Sequence, residues 1–98
     1  MAKAKKTETV TIAPFVVPIV SLDMPKHHGE WLTLPSPHIK VCDKLMGQLR
    51  AMTILHEAIH GIAELYGVTM SEQSTRNFEM ALTNFLRDNL QLIEDLQT

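Results

Sequence analysis

The chain has 98 residues, 45% of them hydrophobic, and carries a formal net charge of −2 at neutral pH. This length fits one domain, and this composition excludes a wholly disordered chain. Such a small net charge gives no electrostatic footprint for nucleic acid, so we expect no nucleic-acid partner.

The N-terminal segment predicts a flexible basic tail over residues 1–8, followed by a single domain over residues 9–98. The apolar run at residues 10–20 is too short to span a bilayer as a helix, and two prolines interrupt it. No small-residue cleavage site follows, so we interpret the run as strand rather than as a signal peptide. The lone Cys42 suits a reducing compartment and a core position. We therefore expect a cytoplasmic protein with no membrane partner.

Short strands are predicted in the first half of the chain. Residues 10–21 are rich in valine and isoleucine and predict extended structure, with prolines that suit an edge strand or a bent one. Residues 22–30 predict a loop, and residues 31–34 and 38–42 predict two strands around the turn at residues 35–37.

The second half predicts helices, because its apolar residues recur at steps of three and four. Asp43 is a candidate N-cap of the first helix, and Gly67 a candidate stop signal. A second helix is expected from about Ser71 to Leu96, with an apolar stripe that includes Phe78, Leu82 and Phe85. The predicted class is α+β, with a small N-terminal sheet followed by two packed helices.

The first helix contains His56-Glu57-Ala58-Ile59-His60. Residues four apart lie on one helical face, so His56 and His60 can bind one metal ion. Glu57 lies about 100° further round the helix and can reach a metal-bound water. This is the HExxH motif, which predicts zinc-dependent hydrolysis with Glu57 as general base. The two histidines flank the apolar stripe rather than oppose it, which argues against a chance match on a solvated face.

A catalytic zinc site needs a third protein ligand and an open position for water. The second helix offers Glu72 and Glu79, which share a face because they are seven residues apart. A short connection predicts an antiparallel helix pair, in which one of the two opposes His60. Glu72 is our first choice and Glu79 the alternative.

Both glutamates also have possible structural roles. Glu72 could complete a capping box with Thr69 or interact with the helix dipole, and Glu79 could pair with Arg76. The other candidates for a proton donor or oxyanion stabiliser are Tyr66 and three histidines outside the motif, namely His27, His28 and His38.

The residues around the motif resemble a known family. Residues 51–62 are similar to the "LLHEilHai" segment of small metallopeptidases from bacteriophages and prophages, and residues 71–89 are similar to their C-terminal helix. Residues 29–31 resemble the segment before their zinc helix, whereas residues 1–28 have no counterpart. These families are related to zincins of the SprT and ImmA/IrrE kind.

This resemblance implies a minimal zincin-like fold and a zinc ion bound by His56, His60 and a glutamate of the second helix. It favours Glu72 and implies a peptide or protein substrate, with the host cytoplasm as the location if a phage encodes the chain. One rival hypothesis is a metal-stabilised regulatory domain without turnover, whose site a fourth protein ligand would close, either a second carboxylate or one of His27, His28 and His38. The other is a protein-binding module that pairs through the second helix.

Overall fold

A computed structural model describes residues 8–97, so the predicted tail lies outside the described residues except for its last position. The described chain has an α+β fold in which four strands precede three helices. The elements in chain order are β1 (Thr9–Ile12), β2 (Phe15–Leu22), β3 (Gly29–Leu32), β4 (His38–Cys42), α1 (Gly47–Leu65), α2 (Glu72–Asp88) and α3 (Leu90–Leu96). Within residues 8–97, no helix is both long and apolar enough to cross a bilayer.

The strands form one mixed sheet in the order β1-β2-β4-β3. β1 and β2 form an antiparallel hairpin, β2 and β4 run parallel, and β3 lies antiparallel to β4 at the edge. The predicted single extended stretch over residues 10–21 is wrong at its centre, because the chain turns at Ala13 and Pro14. Proline suits a turn since it lacks the N–H that a strand ladder needs. The two strands predicted around residues 35–37 are confirmed, with β3 beginning two residues earlier.

The hydrophobic core lies between one face of the sheet and α1. Alternate residues of β2 and β4 are buried, as expected for strands with one covered face. Burial of this apolar surface is the main driving force for the fold. The cluster includes Val17, Ile19, Ile39, Val41, Ile54 and Ala58.

The first helix begins four residues after the predicted N-cap. The backbone N–H of Asp43 donates to the carbonyl of Leu22 (2.9 Å), which extends the sheet beyond β4. Leu45 is then buried in the core, and α1 begins at Gly47. The predicted stop signal is confirmed, because Gly67 follows the end of α1 with a φ of 71°, a value that glycine adopts without steric cost.

The predicted second helix is two helices. Asn89 leaves the helical region (φ −132°, ψ 44°), and its side-chain amide donates to the carbonyl of Phe85 (2.9 Å). An asparagine that bonds to nearby backbone competes with the helical ladder, which explains the break. The predicted apolar stripe is also largely exposed, since Thr75 is the buried residue of α2 and α3 has none. The prediction of one helix up to Leu96 is therefore wrong after Asp88, because the helix breaks at Asn89 and a separate third helix covers Leu90–Leu96.

Two glycines set the distance between β3 and α1. A Cβ built on Gly61 would lie 2.5 Å from the indole ring of Trp31. A Cβ built on Gly29 would lie 2.8 Å from the side chain of Thr53. Both separations are shorter than van der Waals contact allows, so glycine lets the edge strand pack directly on the helix that carries the motif.

We expect Gly61→Ala to destabilise the protein by about 1–3 kcal/mol, because the added methyl group overlaps the Trp31 ring. Alanine in an open helix interior would instead stabilise by up to about 1 kcal/mol. Urea unfolding of the single and double variants tests this cause. In a Trp31→Ala background the sign of the Gly61→Ala effect should reverse, and a destabilisation that persists without the indole would contradict the explanation.

Candidate metal centre

The HExxH residues lie on the wall of an open groove between β3, α1 and α2. The groove has a volume of about 1200 Å³, and His56, Glu57 and His60 contribute to its lining. Their positions follow from the helical periodicity of α1, which directs both imidazoles towards α2. The sequence prediction that the two histidines share a face agrees with this arrangement.

Two imidazoles from α1 and one carboxylate from α2 meet at one point of the groove. The Nε2 atoms of His56 and His60 are 3.2 Å apart. One carboxylate oxygen of Glu72 lies 2.8 Å from Nε2 of His56, and the other lies 3.1 Å from Nε2 of His60. Among residues 8–97, this trio is the one group of three or more metal-binding side chains whose ligand atoms converge.

The spacing of these atoms fits a tetrahedral metal ion. Two ligands held 2.0–2.1 Å from zinc at the tetrahedral angle lie about 3.3 Å apart. The two Nε2 atoms, 3.2 Å apart, approach this value, and each faces a different oxygen of the Glu72 carboxylate, at 2.8 and 3.1 Å. Imidazole and carboxylate are ligand types that zinc accepts, and Glu72 keeps 52% of its side chain exposed at the groove mouth. The residues therefore suit a metal ion with a position open to solvent.

Glu79 contacts the opposite nitrogen of the same histidine. Its carboxylate lies 2.8 Å from Nδ1 of His56, and the two side chains are only 15% and 17% exposed. The predicted alternatives for a third ligand thus have different positions: Glu72 joins the Nε2 cluster, and Glu79 lies behind His56. Metal-binding histidines commonly donate their other ring N–H to a carboxylate in this way.

The hydrogen bond between Nδ1 of His56 and the Glu79 carboxylate determines which ring nitrogen of His56 carries the proton. A carboxylate only accepts, so Nδ1 of His56 carries the proton, and in the neutral ring Nε2 then presents a lone pair. That lone pair points towards another acceptor, the carboxylate of Glu72. Two electron-rich atoms 2.8 Å apart repel each other unless a cation, either a proton or a metal ion, lies with them. A metal ion or a proton between His56 Nε2 and the Glu72 carboxylate relieves this repulsion, which is the arrangement expected of a metal-binding group.

Glu57 lies beneath β3, where it accepts a hydrogen bond from the backbone N–H of Trp31. Burial raises the pKa of Glu57, and the nearby carboxylate of Glu72 acts in the same direction. His56, His60 and the Trp31 N–H oppose this shift without cancelling it. A carboxylate with a raised pKa is a stronger base than an exposed one, which suits a group that takes a proton from water.

The structural roles suggested for the two glutamates are only partly realised. α2 begins after the N-cap Ser71, whose hydroxyl accepts from the backbone N–H of Ser74, so a cap at Thr69 is wrong. Glu72 does lie in the first turn, where an acid interacts well with the helix dipole. Arg76 pairs with Glu72 at 3.6 Å, and not with Glu79 as the alternative suggested.

A second link between β3 and α1 was not predicted from the sequence. The carboxylate of Glu64 accepts hydrogen bonds from the indole N–H of Trp31 and from the hydroxyl of Thr33. These bonds hold the pKa of Glu64 below its usual value. A signal was present, because Glu64 is one turn after His60 and two turns after Glu57 on the same helical face. The link fixes the edge strand along one side of the groove.

Of the residues predicted as a possible proton donor or oxyanion stabiliser, two line the groove and two lie elsewhere in the fold. His27 and His28 line one end of the groove. His38 and Tyr66 each contact a backbone carbonyl, at 2.8 and 2.9 Å, and neither lines the groove. Cys42 is buried among the core residues, in agreement with its interpretation as a core position.

No family model, no curated protein and no solved structure matches this chain. The resemblance to small phage metallopeptidases therefore stays a prediction from the motif and the flanking residues.

Proposed function

We propose that this chain is a zinc-dependent metallopeptidase with a minimal zincin-like domain. The observation that carries the proposal is the convergence of His56 Nε2, His60 Nε2 and the Glu72 carboxylate beside Glu57 in an open groove. His56, His60 and Glu72 would hold the metal ion, and Glu79 would orient His56. A zinc ion supplies Lewis-acid polarisation of a carbonyl group and acidifies a bound water.

Glu57 is the proton carrier of the proposed reaction. Its carboxylate takes a proton from the attacking water and returns it to the leaving amine as the peptide bond breaks. Partial burial keeps its pKa raised, so the proton is held more firmly than by an exposed glutamate. The hydrogen bond from the Trp31 N–H fixes the carboxylate in position, which reduces the reorganisation needed during the reaction.

The edge strand β3 offers a binding surface for an extended peptide. β3 pairs with β4 on one side only, and Gly29, Glu30 and Trp31 line the groove. A peptide could add to this edge through backbone hydrogen bonds and cross the face of α1 that carries the motif. Slower amide exchange in β3 when a peptide binds tests this mode, and unchanged exchange would contradict it.

The arrangement favours catalysis over a purely structural metal site. A structural zinc site is closed by four protein ligands, whereas a catalytic site leaves one position for water. Three candidate ligands converge among the described residues, and Glu72 borders a groove open to solvent. This observation supports the enzyme over the regulatory domain without turnover.

Hydrolysis by the metal-loaded protein tests the proposal. We expect zinc-loaded protein to cleave an unfolded protein or a quenched fluorescent peptide library, because extended chains fit the groove. A chelator should abolish cleavage, and added zinc should restore it. Zinc binding without any cleavage would favour the silent regulatory domain, and failure to bind zinc would contradict the metal site itself.

A further inference from the structure

The C-terminal helix has almost no support from the rest of the chain. α3 has seven residues and no buried side chain, and among the described elements it packs against α2 alone. Its three leucines face solvent, with Leu90 69%, Leu92 44% and Leu96 77% exposed, whereas Ile93 is half-buried. A helix this short is marginal in water, because helix stability in proteins comes mainly from packing of an apolar face. α3 therefore presents an apolar surface that lacks an apolar partner within residues 8–97.

A wholly apolar cleft lies elsewhere on the same chain. It opens between the C-terminal half of α1 and the N-terminal half of α2 and has a volume of about 340 Å³. Ile62 is 43% exposed and Phe78 is 49% exposed at its walls. No polar atom contributes to its lining, which consists of Ile59, Ile62, Ala63, Val68, Met70, Phe78 and Leu82.

The α3 helix cannot fill the cleft of its own chain. Phe78 and Leu90 are separated by about 18 Å along α2 at the helical rise of 1.5 Å per residue. One residue, Asn89, connects α2 to α3, whereas a helical hairpin needs a connection of about two to five residues. The chain therefore cannot reverse at Asn89 and place α3 beside Phe78.

We propose that α3 of one copy binds in the α1–α2 cleft of a second copy, and that the exchange is reciprocal. Both surfaces belong to the same chain, so in a dimer with a two-fold axis each α3 lies in the cleft of the other copy. An amphipathic helix that lays its apolar face in an apolar groove is a common mode of recognition. This inference goes beyond the proposed hydrolysis and is independent of it, because none of the proposed metal ligands lies in the cleft or on α3.

The surface available is large enough for a stable dimer. The exposed side chains involved are those of Leu90, Leu92, Leu96, Ile62, Val68 and Phe78. Covering them completely on both copies would remove on the order of 1,200 Å² from water, at the lower end of the range of about 1,200–2,000 Å² for stable interfaces.

Light scattering over a range of protein concentrations tests the proposal. We expect wild-type protein to have twice the mass of one chain. Leu96→Glu should weaken dimerisation by at least about 100-fold, because the charge would be buried without a partner. Leu34→Glu is the matched control, since Leu34 is exposed to the same extent (78%) but lies in the turn before β4. Leu96 makes no core contact, so the fold should be intact, as the fluorescence of Trp31 would report.

A mixing experiment identifies the two surfaces. Ile62→Glu should also give a monomer, because it places a charge in the cleft. An equimolar mixture of Leu96→Glu and Ile62→Glu keeps one intact helix and one intact cleft, so it should dimerise at least about tenfold more tightly than either variant alone. A monomeric wild type, a Leu96→Glu dimer as tight as the wild type, or a mixture that stays monomeric would overturn the proposal.

Discussion

Replacement of Glu57 by glutamine is expected to reduce peptide hydrolysis by a factor of at least about 10²–10⁴, the usual contribution of a positioned general base. Zinc content should be unchanged, because Glu57 is not one of the three residues whose ligand atoms converge. The fold should also be retained. The amide oxygen of glutamine can still accept the hydrogen bond that Glu57 receives from the Trp31 N–H.

The stability of this variant gives an independent check. The folded-state pKa of Glu57 is raised by burial, so the ionised carboxylate costs stability as the pH rises through that range. Glutamine removes this cost, and metal-free Glu57→Gln should therefore unfold at the same temperature as the wild type, or at a higher one, at neutral pH. Glu8→Gln is the control, since Glu8 is exposed before β1. Full activity in Glu57→Gln would contradict the assignment of Glu57 as the proton carrier.

The two glutamates of α2 are expected to differ in their effect on zinc binding. Glu79→Gln should weaken zinc affinity by roughly 10–100-fold, because it weakens the hydrogen bond that orients His56. Glu72→Ala should weaken it further, because it removes a ligand atom that approaches both imidazoles. The order of the two effects follows from the positions of the carboxylates on opposite sides of the His56 ring.

Equilibrium competition with a chromogenic chelator measures these affinities. Asp88→Asn is the matched control, because it removes an exposed carboxylate at the far end of the same helix. It should leave the affinity unchanged. A loss for Glu79→Gln greater than that for Glu72→Ala would reverse the assignment of ligand and supporting residue.

Local patterns were sufficient to predict the elements that position the motif. The four-residue spacing of His56 and His60 fixes them on one face of α1, whatever the rest of the fold does. The strand at residues 38–42 was found because alternating apolar residues between turn signals are a local feature. Gly67 was found because a helix that ends in a left-handed residue favours glycine.

Features that depend on tertiary contacts could not be predicted from the sequence alone. Glu72 and Glu79 are equally placed on a helical wheel, and only the angle at which α2 meets α1 directs one to Nε2 and the other to Nδ1. The link from Glu64 to Trp31 joins residues 33 apart in the chain. The break at Asn89 depends on one side-chain hydrogen bond that competes with an otherwise regular helical pattern.

The groove depends on the close contact of the edge strand with α1. Gly29 and Gly61 permit the approach, and the bonds from Trp31 and Thr33 to Glu64 maintain it. Glu57 is held in the same contact through the Trp31 N–H. A single tryptophan therefore connects the packing of β3 on α1 with the position of the proposed base.

X-ray absorption spectroscopy of the zinc-loaded wild-type protein tests the metal centre most directly. We expect one zinc per chain, bound by two imidazoles and by oxygen atoms at about 2.0–2.2 Å. The imidazole signal should weaken in His60→Ala. A protein that retains no zinc, or whose zinc shows no imidazole in its first shell, would contradict the assignment of His56, His60 and Glu72 as a metal centre.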